Sequence, residues 1–388
     1  MKILFVIDQF DSANNGTTIS ARRFADALAS RGNEVRVVSC GSSHEGKYGV
    51  SEIRLLPIAD HIVKAQGMQF GRPNSKQLVR AMEWAEIVHF FMPFPLSIRG
   101  LALAEKMCVP HTAAFHVQPE NITFTIGMGN MEFVNNSIYN EFRDRFYNRF
   151  THIHCPSNFI AEELLKHGYT AKLHVISNGI SPAFCYNKVP KPEIYAGKYI
   201  ITMIGRYSAE KRQDILIEAT EHSKYADRIQ LVLAGQGPLK SKIEKLGSVL
   251  PNPPIMNFFS EDELHRLLSY SDLYCHTADV EIEAISCIEA FASGLVPIIA
   301  NAPRSATPQF ALDERSLFAA DNPRSLTEKI DYWLDNAEER QKSEKLYAEA
   351  GEQYHLNFCA AKTEEMFKEA IEENAGLRPN RGVAYRRA

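Results

Sequence analysis

"KILFVIDQFDSANNGTTISARRFADALASRGNEVRVVS", residues 2–39, holds one complete folding unit. Lys2–Ile7 is a short apolar run of strand character, and a polar loop with Asn14-Asn15-Gly16 follows it. Thr18–Ser30 spaces its apolar side chains for an amphipathic helix, Gly32-Asn33 stops it, and Glu34–Ser39 returns to a strand. A strand, a helix and a second strand in this order build a parallel sheet covered on both faces.

The unit recurs. Strand Ile87–Phe91, helix Leu96–Met107 and a strand over His111–Phe115 repeat it. The stretch VPKPEIYAGK (189–198) then reads as an exposed linker, and the pattern restarts. Strand Tyr199–Ile204, helix Arg212–His222, strand Ile229–Ala234, helix Leu239–Leu246 and strand Leu273–His276 follow. Helix Ile288–Ser293, strand Pro297–Ala300 and two long helical segments complete the chain. The expectation is two doubly wound α/β domains, 1–188 and 189–350, facing across a cleft. Residues 351–388 are expected to supply a helix that packs back toward the first domain, and a basic, frayed tail.

Composition narrows the function classes. The 388 residues are 45% hydrophobic and carry a net charge of −4, which disfavours a general nucleic-acid binder. Charge is uneven: residues 1–190 hold 19 Lys/Arg against 16 Asp/Glu, and residues 191–388 hold 24 against 31. That mild bias leaves room for an acidic partner or an anionic membrane surface on the first half. Seven irregularly spaced cysteines suit neither a disulfide framework nor a zinc site, so reduced thiols in cytosol are expected. No signal peptide is read at MKILFVIDQF, and no run reaches the ~18 apolar residues of a membrane span.

In open α/β sheets ligands bind beyond the carboxyl ends of strands, where helix N-termini aim amides at anions. Four stretches fall at such ends. In DQFDSANNGTT, Gly16 would let backbone approach a ligand, although an ordinary βα loop explains it equally. In GRYSAEKRQD, Arg206 and Lys211 suit a diphosphate, although charge alone favours a solvated basic loop. In LAGQGPLK, Gly235 and Gly237 permit a tight turn, which is common without any ligand. In EIEAISCIEA (281–290), Glu281 falls in a loop and Glu289 in a helix that Gly294 stops. Glu289 either closes a capping box with Ser286 or accepts two hydroxyls of a ligand such as a ribose.

Together these pieces resemble the GT-B glycosyltransferases, specifically family 4 of the retaining nucleotide-sugar-dependent enzymes (glycosyl transferases group 1). The resemblance rests on the Gly16 loop, His116 in AAFHVQPEN, SNGI at 177–180, GRYSAEK, AGQG, and Glu281-x7-Glu289 before AFASGLVPIIA. These occur in the family's order and span nearly the whole chain. The resemblance implies that Arg206 and Lys211 bind the donor diphosphate and neutralise the leaving group. It implies Glu289 on the ribose, Gly235 and Gly237 beside the nucleotide, and Glu281 on sugar hydroxyls. Backbone at Ala284 and Ile285 would meet phosphate or sugar, and His116 the donor sugar near its reacting carbon. No metal ion and no cofactor beyond the nucleotide-diphosphate sugar is implied, and UDP is the base expected.

Two departures touch the donor region. The family's aromatic-glycine pair after the first glutamate is Glu283-Ala284 here, and its N-terminal glycine pair is Asn15-Gly16. Glu283 is expected to be an exposed loop carboxylate. For the acceptor, EFRDRFYNRF (141–150) interleaves aromatics with arginines at helical spacing. Phe142, Arg143, Arg145, Phe146 and Arg149 are membrane-contact candidates on that pattern, and a helix with its aromatics in the core is the competing account. With ITFTIGMGNMEF and FHVQPEN it is similar to family members that glycosylate membrane lipids. The expected enzyme is a hexosyltransferase acting on a lipid such as diacylglycerol, peripheral on the inner face of the membrane. A cell-surface polysaccharide or soluble acceptor, a UDP-N-acetylglucosamine epimerase, and a non-catalytic scaffold are the alternatives.

Overall fold

A computed structural model describes residues 1–11, 16–56, 60, 63, 68–125, 129 and 131–377. Asn14 and Asn15, part of the 122–133 segment, and the tail beyond residue 377 lie outside the described residues. The chain forms two compact units. One comprises Met1–Pro119, Met131–Asn178 and Leu356–Ala388, and the other Glu120–Asn130 and Gly179–His355.

The first unit begins with β1 (Lys2–Val6), α1 (Gly16–Ser30), β2 (Glu34–Cys40) and β3 (Lys47–Val50). It continues through α2 (Ser75–Trp84), β4 (Ile87–Phe90), α3 (Pro95–Lys106) and β5 (His111–Ala114). After α4 (Pro119–Thr125), at the division between units, come α5 (Glu132–Arg145), β6 (His152–Cys155), α6 (Asn158–Lys166) and β7 (Lys172–Val175). The seven strands are parallel in the order β3-β2-β1-β4-β5-β6-β7. Ile3, Leu4, Phe5 and Val6 of β1 are all at most 1% exposed, because helices cover both faces. The chain reverses direction across the sheet between β1 and β4, the switch point where such sheets open for ligands.

Three aromatics of the 141–150 stretch belong to this unit's core, which removes Phe146 from the expected membrane contacts. α5 ends at Arg145, and Phe146 leaves helical geometry at φ −137°, ψ −64°. The aromatics therefore turn inward: Phe146 and Tyr147 are fully buried and Phe150 is 4% exposed. The Tyr147 hydroxyl donates to the Ala114 carbonyl at 3.0 Å, and the Phe146 and Phe150 rings lie 4.9 Å apart. The arginines have local partners. Arg143 donates to the His167 carbonyl at 2.7 Å, Arg145 pairs with Glu141 at 2.5 Å, and Arg149 with Glu105 at 3.0 Å. Phe146 has no surface to offer a bilayer.

The second unit contains β8 (Tyr199–Ile204), α7 (Gln213–His222), β9 (Ile229–Ala234), α8 (Lys240–Gly247), β10 (Ile255–Asn257) and α9 (Glu261–Tyr270). β11 (Leu273–His276), β12 (Val280–Glu281), α10 (Ile285–Ala292), β13 (Val296–Asn301), β14 (Arg304–Ser305) and β15 (Leu317–Ala319) follow. α11 (Pro323–Asp335) and α12 (Ala337–Gly351) close it, and α13 (Leu356–Leu377) returns to the first unit, so three helices stand where two were expected. Its six-stranded parallel sheet runs β10-β9-β8-β11-β13-β15, with β12 and β14 paired separately. Here the order reverses between β8 and β11, which pair only through Leu273–Ile201 and Tyr274–Thr202.

Candidate active site

The loops leaving β8 and β11 meet at this switch point and bring together residues far apart in sequence. The loop after β8 is held first by its neighbour after β9. The Gly205 amide donates to Ala234 at 3.0 Å, the Tyr207 amide to Gln236 at 3.1 Å, and the Leu239 amide to Tyr207 at 3.0 Å. The two backbones are so close that a Cβ on Gly235 would stand 2.0 Å from the Gly205 carbonyl oxygen. One on Gly237 would stand 2.5 Å from that of Tyr207. Packing therefore explains both glycines. The Tyr207 hydroxyl, donating to Leu233 at 2.7 Å, pins the loop from inside.

The loop then makes a 3-10 turn over Ala209–Lys211, and Arg212 enters the left-handed region at φ 54°, ψ 43° to start α7. The Thr277 hydroxyl, one residue past β11, lies 2.8 Å from the Lys211 carbonyl and 2.9 Å from that of Arg212. The Asp279 amide donates to Glu210 at 2.8 Å, and Gln213 donates to the Arg206 carbonyl at 2.8 Å. Arg212 reaches Asp214 and Asp279 at 3.1 and 3.3 Å and also pairs with Asp321. Each contact fixes backbone on either side of Lys211.

Lys211 points at Glu281, and Nζ and Oε1 form an ion pair. His276, the last residue of β11, places Nε2 3.1 Å from the same carboxylate oxygen. A carboxylate only accepts, so Nε2 carries the proton and Nδ1 faces the Tyr274 hydroxyl at 3.1 Å. Tyr274 in turn touches Ser286 at 3.2 Å. Burial alone would push the Glu281 carboxyl up. The Lys211 charge and the His276 hydrogen bond outweigh it and hold the group at about 2. Glu281 is thus a fixed anion and acceptor at neutral pH, with its side chain 14% exposed.

α10 starts beside this pair, three residues earlier than expected. Ala284 caps it in the left-handed region at φ 66°, ψ 64°, with no side-chain cap. Ser286 lies inside the first turn, so the capping-box account of Glu289 does not hold. The first amides of α10, at Ile285 and Ser286, have no acceptor within the helix, as at any helix N-terminus. Glu289 is 7% exposed on this short helix. Glu283 is 3% exposed, against the expectation of an exposed loop carboxylate, and immediately precedes the left-handed residue Ala284. Arg206 is half-buried on the β8 loop.

In the first unit, His116 follows β5 and is 7% exposed. Its ring stacks on Phe91 at 5.5 Å and meets the His154 ring edge-on at 5.5 Å. Burial, with the nearby His154, pushes its pKa well below the usual histidine value, so the ring is neutral. Gly16 opens α1, and a Cβ there would meet nothing within 4 Å among the described residues. Packing against the described residues does not demand glycine at that position.

His276, Thr277 and Arg212 escaped sequence reasoning. The available signal was position: His276 and Thr277 stand at the carboxyl end of a central strand.

Two family models match in sequence: Glycosyltransferase Family 4 over residues 14–184 and Glycosyl transferases group 1 over residues 187–350. The α-monoglucosyldiacylglycerol synthase of Streptococcus pneumoniae is 22% identical over 321 residues, 78% of this chain and 71% of that one. Among solved structures, HepE of Anabaena in complex with UDP and glucose superposes with a TM-score of 0.72 at 14% identity. That match covers 95% of this chain and 100% of HepE, and at such identity it speaks for the fold alone. The catalytic domain of cholesterol-α-glucosyltransferase from Helicobacter pylori is 47% identical over 40% of this chain and 98% of that domain. Its TM-score of 0.39 keeps it out of the comparison of folds. Two Rossmann-like sheets, a charged array at the second sheet's switch point and family matches over both halves agree: the chain belongs to the GT-B glycosyltransferases of family 4 (glycosyl transferases group 1), enzymes that use nucleotide sugars.

Proposed function

We propose that this protein is a retaining hexosyltransferase that moves a hexose from a UDP-sugar to a hydroxyl of a membrane lipid such as diacylglycerol. The observation that carries it is the Lys211–Glu281–His276 array, set at the switch point beside Arg206 and the free amide end of α10. Lys211 and Arg206 would take the donor diphosphate and stabilise the negative charge that grows as the anomeric C–O bond breaks. Lys211 has three donors, so it can keep Glu281 and still reach a phosphate oxygen. Glu281, ionised and rigid, would accept from sugar hydroxyls, and Glu289 from the ribose diol. Gly235 and Gly237 would border the base, and backbone at Ala284 and Ile285 would meet the phosphate. Gly16 would let backbone approach the donor, and neutral His116 would hydrogen-bond the sugar. The two cationic side chains make a divalent metal unnecessary in this scheme. The name of the pneumococcal relative, an α-monoglucosyldiacylglycerol synthase, supports the lipid acceptor, and with such an acceptor the enzyme would work peripherally at the inner face of the membrane. Among the described residues, no helix is long and apolar enough to cross a membrane.

One observation favours a hydrophilic acceptor instead. A cavity of about 600 Å³ at the carboxyl ends of β1–β3 is lined by Gln9, Asp11, Ser51, Glu52 and Gln69 together with Phe10, Cys40 and Val50. Such a lining suits a saccharide, free or as the head of a glycolipid. The test is a matrix of UDP-, GDP- and ADP-sugars against diacylglycerol, a glucosylated diacylglycerol, a sterol and soluble saccharides, with and without EDTA. Transfer of an α-hexose from a UDP donor to a lipid, unchanged by EDTA, is expected. Transfer only to saccharides would replace the acceptor, and inverted product or loss in EDTA would remove the mechanism.

A further inference from the structure

The first unit carries a histidine-carboxylate cluster that the transferase chemistry does not use. His152 ends no loop; it opens β6 in the interior, with its side chain fully buried. Its Nδ1 lies 2.9 Å from Nε2 of His174, on the neighbouring edge strand β7. Its Nε2 lies 2.8 Å from Oε2 of Glu373, on α13. One turn earlier on that helix, Oε2 of Glu369 stands 3.9 Å from His174 Nε2. One ligand atom each from His152, His174 and Glu369 falls within 4.8 Å of the others.

We propose that His152 Nδ1, His174 Nε2 and Glu369 Oε2 form a binding site for a divalent transition-metal ion, with Zn²⁺ the best fit, that latches α13 to the sheet edge. Two imidazoles and one carboxylate are the borderline-soft donors that zinc selects over magnesium or calcium. Glu373 orients the site: it accepts the Nε2 proton of His152, so Nδ1 accepts from His174 Nε2 in the empty site. Metal binding requires His174 to carry its proton on Nδ1 instead, which turns both lone pairs to the ion. Carboxylate, histidine and metal in series is the usual second layer of such sites. Tetrahedral ligands about 2.1 Å from zinc stand roughly 3.4 Å apart. Two of the present spacings, 2.9 and 3.9 Å, bracket that value, and all three ligand atoms lie within 4.8 Å, so the carboxylate of Glu369 has to move inward to complete the site. Glu369's other oxygen pairs with Lys172, which would hold the carboxylate in place as Oε2 turns to the ion. With three protein ligands and a partly exposed Glu369, a fourth position is left for water.

The test uses the full chain after chelation and gel filtration. Isothermal titration with ZnCl₂ should show one site, absent for MgCl₂. CoCl₂ should give the intense visible absorption of a tetrahedral ion, and a hundredfold excess over Kd should raise the melting temperature by roughly 5 °C. His174→Ala and Glu369→Gln should each remove that site, and Glu373→Gln should weaken it tenfold or more. Transfer activity of the variants checks that they fold. Wild-type protein without a stoichiometric site would overturn the proposal, as would identical zinc binding by folded His174→Ala and Glu369→Gln. In either case the two histidines would be a hydrogen-bonded pair only.

Discussion

Removing the Lys211 ammonium tests how the site is built as well as what it does. Lys211 and Glu281 are 18% and 14% exposed, so solvent can replace little of what each gives the other. In Lys211→Ala the Glu281 carboxylate keeps His276 as its one side-chain partner among the described residues. The present shift from 4.5 to about 2 corresponds, at 1.36 kcal/mol per unit, to about 3 kcal/mol of stability at neutral pH. That agrees with the roughly 3–5 kcal/mol that breaking a buried pair costs. Because the folded value is depressed, this contribution is complete above the unfolded value of 4.5 and disappears as pH falls toward 2. Urea unfolding of the wild type and Lys211→Ala should therefore differ by about 3 kcal/mol at pH 7, and the gap should narrow progressively below pH 4.5. Glu281→Gln leaves a flexible lysine that can reach water, so it should cost less, and the double variant should fall short of the sum. Turnover of the donor should drop in Lys211→Ala by a factor on the order of 100 to 1,000, since a charge on the leaving group is lost. Equal stability of the two proteins at pH 7 would refute the buried-pair argument. Unchanged turnover would remove Lys211 from the chemistry.

Gly235→Ala should destabilise the second unit by about 2 kcal/mol or more, measured by urea unfolding, because its Cβ would overlap the Gly205 carbonyl. Gly16→Ala should leave stability within about 0.5 kcal/mol while raising the KM for the donor, since nothing among the described residues crowds that position. Ala284→Gly should raise the melting temperature slightly, by relief of up to about 1 kcal/mol of left-handed strain. Phe146→Ala should cost the first unit roughly 3–5 kcal/mol in calorimetry, with no selective loss of sedimentation on anionic liposomes.

Local sequence sufficed for the framework of both units. Strands Tyr199–Ile204, Ile229–Ala234 and Leu273–His276 stand where their apolar runs placed them. A strand buried on both faces must be apolar throughout, and that pattern needs no knowledge of its neighbours. Glu281, Lys211 and the loop glycines were legible as a set because they keep a known order along the chain. Their contacts were not legible. Lys211 and Glu281 are 70 residues apart and meet only because β8 and β11 are neighbours at the reversal of strand order. His276 joins them for the same reason, and only its place at the carboxyl end of a strand marks it. Ser286 and Glu289 have capping-box spacing, yet a residue further upstream, Ala284, takes the left-handed turn that starts α10. That turn depends on what the loop packs against, as does the burial of Glu283. Phe146 sits on an arginine-rich stretch that reads as a surface helix, and the core claims it once the helix breaks at Arg145. Periodicity along the chain reports which faces are apolar; which face meets which partner is settled by packing between segments distant in sequence, and only the folded chain contains that.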